Sequence, residues 1–232
     1  MAKFLLFIFI SVCFSLSSQE LPEHDFSKVI SKNIRTYNKN VKSAYRIKDF
    51  DRAQFLFDSL VKYAINGSYF DDFTVKKLRG RKNVAFKEFK KPVFLMTCAS
   101  WCTPGSGEIP ALNEIAKRYK NEIDFVVLFW DKRNSVRKVT KEYDRNINVL
   151  YVDELDNKNS HIIRTLKHSL GFPTSFFLDK EKKILDVRRG IILPYNEVYS
   201  VSFSLNYESF RNGISLLLNY EDLKEPLVDA HK

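Results

Sequence analysis

The sequence predicts an α/β fold, a central sheet flanked by helices, with a helical segment ahead of it. Three observations carry that prediction. Short, wholly apolar runs such as "PVFLMTC" and "IDFVVLFW" alternate with longer stretches whose apolar residues recur every three or four positions. Covered strands separated by amphipathic helices give that pattern. A hairpin pattern and one more helical stretch close the chain, while residues 23–66 show only the helical period. Strands alternating with helices specify a layered domain.

Taken in order, the elements begin after an opening of another kind. "MAKFLLFIFISVCFSLSS" runs from one lysine through an apolar centre to small residues, the layout of a secretory signal peptide. The run from Phe4 to Leu16 falls short of the ~20 apolar residues a membrane span needs. Cleavage is expected near Ser17 or Ser18, with Gln19 opening the mature chain. A lipid anchor on Cys13 is disfavoured, because Val12 stands where a small residue belongs and the apolar run continues through Phe14 and Leu16.

From Glu23 to Tyr45, the residues Phe26, Val29, Ile30, Ile34, Tyr37 and Val41 share one helix face. A second helix starts at Asp49 or Asp51 and stops at Asn66-Gly67, where glycine ends the periodic run. "FTVKKL" and "VAFKEF" then read as two short strands around the turn "RGRK". "PVFLMTC" is a doubly covered strand and residues 107–121 a helix. "IDFVVLFW" is another buried strand, residues 134–145 a polar helix, and "NVLYVD" a short strand. Residues 159–169 form a helix, "TSFFLDKEKKILDVRRG" a hairpin turning at Asp179–Lys182, and residues 195–219 the last helix. The domain plan is a signal peptide (1–18), a helical segment (19–68), the α/β domain (69–223) and a tail (224–232).

Composition narrows the function. The chain has 232 residues, 44% hydrophobic and 14% aromatic, ample for a packed core. Its net charge of +10 comes from lysines spread throughout rather than from a basic helix or strip, so a solvated surface is expected and nucleic acid is not a partner. With Cys13 removed, the mature chain keeps Cys98 and Cys102, too few for a disulfide framework. His24, His161, His168 and His231 are scattered. His161 and His168 fit one helix face, but two ligands without a third do not make a metal site.

The chemistry gathers at "CASWCTPGSGEIP" and "GFPT". A buried strand leads into Trp101-Cys102-Thr103-Pro104, a helix follows, and Gly171-Phe172-Pro173-Thr174 stands before the terminal hairpin. In this order the chain resembles the thioredoxin superfamily, and in particular the exported TlpA/ResA-like thiol–disulfide oxidoreductases. The resemblance covers residues 70–220, about two thirds of the chain. Trp101, Cys102, Pro104, Glu108 and Pro110 match the W-C-x-P-C-x-x-E-x-P signature, and Phe172-Pro173 matches the cis-proline loop. It implies a thioredoxin-like fold with a mixed sheet, Cys102 as nucleophile, Pro173 shaping the substrate groove, and no cofactor. Its partners would be a protein thiol or disulfide and an external resolving thiol, in a bacterial periplasm. The resemblance assigns no oligomeric state.

One signature position fails: Gly105 stands where the second cysteine belongs. A cysteine at a helix N-terminus has its thiolate favoured by free N–H groups and the helix dipole. Gly105 keeps its N–H, so the oxidoreductase reading expects a depressed Cys102 pKa, and a binding-module reading an ordinary or buried thiol. What is missing is the thiol that resolves a mixed disulfide, and the Ser106 hydroxyl does not replace it. Cys98, four residues upstream, either packs as a small hydrophobe at the strand end or acts as a second thiol, which geometry decides. Glu108 has two readings as well, helix stabilisation in the first turn or a place in the site. Peroxidatic chemistry lacks its motif, since Leu95 and Ala99 stand where proline and Ser or Thr would precede Cys102. "GSG" at 105–107 lacks the outer glycines of a serine-hydrolase elbow. Two functional classes remain: an oxidoreductase working through Cys102, and a redox-inactive binding module built around Trp101 and the groove.

Overall fold

The structure, a computed structural model, describes residues 25–80, 82–153, 163–167, 169–191, 193 and 197–224. The signal peptide, Cys13, the end of the C-terminal tail and all four histidines lie outside the described residues. Two helices open the described chain, α1 (Phe26–Arg46) and α2 (Phe50–Leu60), and a π-helical turn follows at Val61–Ile65. Both starts are satisfied by carboxylates. Asp49 accepts the Arg52 N–H at 2.9 Å, a local N-cap. At α1 the partner is distant: Asp71 accepts from the Ser27 N–H at 2.9 Å and from its hydroxyl at 2.6 Å. The first turn of α1 is thereby tied to the segment that leads into the sheet.

The sheet contains β1 (Thr74–Lys77), β2 (Asn83–Ala85), β3 (Val93–Cys98), β4 (Asp124–Phe129), β5 (Ile147–Tyr151), β6 (Thr174–Leu178) and β7 (Ile184–Arg189). Its order is β2-β1-β5-β4-β3-β6-β7. Strands β3, β4 and β5 run parallel and the remaining pairings are antiparallel, so the sheet is mixed. Helices α3 (Glu108–Arg118), α4 (Arg133–Val139) and α5 (Tyr199–Lys224) complete the fold.

Alternation within the apolar strands sorts the core into two layers. Leu95, Val126, Leu128, Leu150, Phe176 and Val187 join Phe26, Ile30, Phe57 and Ile65 of the N-terminal segment in one cluster. Phe94, Met96, Cys98, Val127, Phe129 and Phe177 join Ile109, Leu112 and Ile115 of α3 and Ile214 and Leu217 of α5 in the other. Both faces are covered, which is why these strands read as unbroken apolar runs.

Three elements differ from the sequence expectation. The strand expected through Phe89 stops at Ala85 and becomes a 3₁₀ turn, Phe86–Glu88. Phe86 is drawn inward against Phe70 and Phe73, and Glu88 closes the turn by accepting the Ala85 N–H at 2.8 Å. The polar helix expected to reach residue 145 ends at Val139. There the Thr140 hydroxyl bonds back to the Val136 carbonyl at 2.8 Å, and Tyr143 turns into the core. Of the helix expected at 159–169, the described part is a π-helical turn, Ile163–Lys167.

Candidate active site

The site forms at the carboxyl end of parallel strands β3 and β4, where open α/β sheets place their ligands. Beyond Cys98 the chain turns at Ala99–Cys102, and the Cys102 N–H donates to the Ala99 carbonyl at 2.9 Å. Asp131, just past β4, pins this turn by accepting from the Ser100 N–H at 2.6 Å and the Ser100 hydroxyl at 2.9 Å. Trp101 projects outward, 72% exposed, and meets the Phe172 ring edge-on at 6.2 Å. The Phe172–Pro173 peptide is cis. The Pro173 carbonyl accepts from the Gly190 N–H at 3.0 Å, which fastens this loop to the end of β7.

Cys102 does not start a helix. Helix α3 begins at Glu108, with Gly107 as its N-cap, and residues 102–105 belong to no helix or strand. The reason lies in α5. A Cβ on Gly107 would sit 2.1 Å from the Phe203 backbone nitrogen, so the start of α3 is wedged against α5. The Gly107 N–H donates to the Ser202 hydroxyl at 3.1 Å instead of continuing a helix backwards. Two glycines in three residues also make helix formation there costly.

The expected depression of the Cys102 pKa is therefore corrected. Burial pushes the thiol up. A backbone hydrogen bond from Ala99 opposes that, and the negative charges of Glu108 and Asp131 add to the rise. Cys98 is pushed well above the ordinary thiol value, first by burial and then by Glu108 and Cys102. Burial also raises Glu108, against the downward pull of the Gly105 N–H, which donates to its Oε2 at 3.4 Å. Tyr143 is raised by burial and by the neighbouring Cys98, Glu108 and Cys102. These groups share one small cavity of about 40 Å³, lined by Cys98, Cys102, Glu108, Phe129, Tyr143 and Pro173.

Outside the loop runs a groove of about 770 Å³, bounded by Thr103, Pro104, Gly105, Phe172, Pro173 and Tyr45 of α1. A second groove, about 790 Å³, continues along the N-terminal helices and shares Tyr45, Arg189, Gly190 and Ile191 with the first. Arg189 couples the two layers there. It donates to the Tyr37 hydroxyl and lies over the Phe57 ring at 4.3 Å. The structure thus gathers the residues singled out from sequence: Cys102, Thr103, Pro104, Gly105, Glu108, Phe172 and Pro173 line the groove or the cavity below it, and Trp101 stands outside both, against the Phe172 ring.

Sequence reasoning did not single out Asp131, Tyr143, Arg189 or Ser202. Asp131 had a readable signal, a carboxylate directly after a buried parallel strand, where such folds place functional groups. The other three come from chain segments whose approach only packing sets. As possible metal ligands among the described residues, Asp179, Glu181 and Glu221 lie together, but at the β6–β7 turn, the far end of the sheet. Lys180 already pairs with Glu221 at 3.2 Å.

A model of the AhpC/TSA family matches residues 67–187, more than half of the chain. The chain belongs to that family. Among its relatives, the thiol-disulfide oxidoreductase ResA of Bacillus thuringiensis subsp. konkukian is 33% identical over 122 residues, 51% of this chain and 66% of that one. The chain thus matches just under two thirds of that relative's length. The thioredoxin-like protein YneN of Bacillus subtilis is 25% identical over 124 residues, 53% of this chain and 71% of its own. A solved structure, described as a putative thiol:disulfide interchange protein DsbE from Chlorobium tepidum, is similar over 66% of this chain and 97% of that one. Its TM-score is 0.50 at 22% identity, and it shares the fold. Within the AhpC/TSA family the sheet, its flanking helices and the Trp-Cys-x-Pro loop place this chain on the thioredoxin-like side.

Proposed function

We propose that this AhpC/TSA-family chain is an exported thiol–disulfide oxidoreductase whose nucleophile is Cys102. One observation carries the reading: Cys102 is partly exposed in a small cavity that meets the Phe172-walled groove at Thr103, Pro104 and Pro173. A substrate segment lying along that groove presents its sulfur to Cys102. The Cys102 thiolate attacks one sulfur of a substrate disulfide, an S–S bond forms, and the other substrate sulfur leaves as a thiolate. Gly105 contributes no thiol, so release takes a thiol from outside the Trp-Cys-x-Pro motif. The protein's substrates are protein thiols or disulfides. Its compartment is the bacterial periplasm, reached through the signal peptide at residues 1–18. Within the segment 19–68, Tyr45 borders the groove of the domain spanning 69–223, and 224–232 is a tail.

A second reading is a redox-inactive binding module of the cell envelope. The elevated thiol and the exposed Trp101 platform favour it. Alkylation of the folded protein across pH separates the two, with Cys98→Ser as background. The oxidoreductase gives complete native-state labelling of Cys102, at a rate that keeps climbing above the ~8.5 of a free cysteine. Labelling only after denaturation sinks the oxidoreductase and leaves the binding module.

A further inference from the structure

The position that would hold a resolving cysteine is Gly105, yet the structure brings a different thiol to Cys102. Cys98 ends β3, in register with Phe129 of β4. Strand alternation sends its side chain, like those of Phe94 and Met96, to the α3 face of the sheet. The chain then reverses. The turn closed by Cys102 N–H on the Ala99 carbonyl brings Cα atoms three residues apart within about 7 Å. Cys102 thus returns over the strand end it has just left. Asp131 clamps the middle of that turn through two hydrogen bonds to Ser100. A backbone hydrogen bond from Ala99, the residue next to Cys98, reaches the Cys102 sulfur. Both thiols consequently line the same cavity of about 40 Å³, together with the Glu108 carboxyl. A disulfide needs Cα atoms some 4.4–6.8 Å apart, and a single tight turn between two cysteines that line one cavity is the arrangement that lets residues four apart reach that range. Both cysteines are free.

We infer that Cys98 is the resolving thiol: it attacks Cys102 in the mixed disulfide, closes a Cys98–Cys102 disulfide and releases the reduced substrate. The inference rests on the proposed role of Cys102 as nucleophile. Cys98 is 6% exposed, so a protein substrate does not reach it, whereas Cys102 shares its cavity. In the resolving step the Cys98 S–H proton passes to the Glu108 carboxylate in the shared cavity. The new Cys98–Cys102 bond forms as the Cys102–substrate bond breaks, and the substrate sulfur leaves into the groove as a thiolate that water protonates. Over both steps one substrate disulfide becomes two thiols, and two protein thiols become one disulfide. An external dithiol reductant returns the protein to its reduced state.

The test uses the reduced full chain and its Cys98→Ser and Cys98→Ala variants, each exposed to oxidised glutathione, acid-quenched and mapped by peptide mass. The alanine variant guards against instability from a buried hydroxyl. In the native protein the peptide containing both cysteines loses two hydrogens, and glutathione on Cys102 is about tenfold less abundant than in either variant. Equal, persistent glutathione on Cys102 in all three proteins overturns the resolving role and leaves Cys102 as nucleophile. No glutathione on Cys102 in any of them, although the unfolded chain accepts it, overturns both.

Discussion

Glu108 is pulled two ways. Its side chain accepts the Gly105 N–H, which favours the carboxylate, yet burial beside two thiols raises its pKa above the ordinary glutamate value, and burial is the larger effect. The folded state therefore binds this proton more tightly than the unfolded chain does. Stability from Glu108 is full below the ordinary value of ~4.3 and is lost as pH rises through the elevated folded value. Glu108→Gln keeps an acceptor for Gly105 and removes the charge. We expect this variant to be more stable than the parent in urea at pH 7 and indistinguishable from it near pH 3.5. An equal advantage at both values would mean that packing, not ionisation, is responsible. The same carboxylate is the proton acceptor in the resolving step, so a stability gain at pH 7 should accompany slower release of a mixed disulfide. Neither effect was legible from the residue's place in the W-C-x-P-x-x-x-E pattern, because spacing does not report burial.

At the scale of elements, the decisive contact is between the start of α3 and α5. Residues 107–121 carry a clear helical period, and the helix they announce exists. Its first residue was set elsewhere, by the Phe203 backbone against Gly107 and by the Ser202 hydroxyl on the Gly107 N–H. A start at Glu108, within one residue of the expected 107, leaves Cys102 ahead of the helix terminus expected to activate it. Gly107→Ala places a Cβ 2.1 Å from backbone nitrogen, a clash that moving a side chain does not relieve. The expected cost is about 3 kcal/mol, the upper part of the range for overpacked sites, read as a lower urea midpoint with unchanged slope. Unchanged stability would show that α5 yields easily, and α3 would then not be held where it is. The β2 strand and α4 teach the same lesson. Local pattern announces an element, and an aromatic residue within the expected stretch, Phe86 or Tyr143, ends it by turning into the core.

For the molecule as a whole, the N-terminal helices are part of the core. Phe26, Ile30, Phe57 and Ile65 pack in one cluster with sheet residues Leu95, Phe176, Leu178 and Val187. Arg189, at the end of β7, lies against Tyr37 and Phe57. Among the described residues, no helix is long and apolar enough to cross a membrane. A chain starting at residue 69 would leave one face of the sheet bare. It is expected to lose its cooperative urea transition and to bind a hydrophobic dye such as ANS, as loosely packed states do. A sharp transition without dye binding would instead make the helical segment a separable module, despite its shared cluster.

Two regularities of the sequence were enough to determine the layered α/β fold and the place of its site. Strands covered on both faces must be apolar at every position, and their length and alternation with helices survive any detail of packing. The Trp-Cys-x-Pro and Phe-Pro segments pointed to the candidate site because a cysteine and a rigid proline loop are written locally. Tertiary structure alone decided what the site's groups experience. Burial and the charges of Glu108 and Asp131 raise the Cys102 thiol, and these depend on segments far apart in the chain. The fold-back of the Asp131-clamped turn likewise turned Cys98 from a strand-end residue into a neighbour of Cys102. Sequence spacing fixes how far apart two sulfurs lie along the chain, whereas their separation in space belongs to the turn between them.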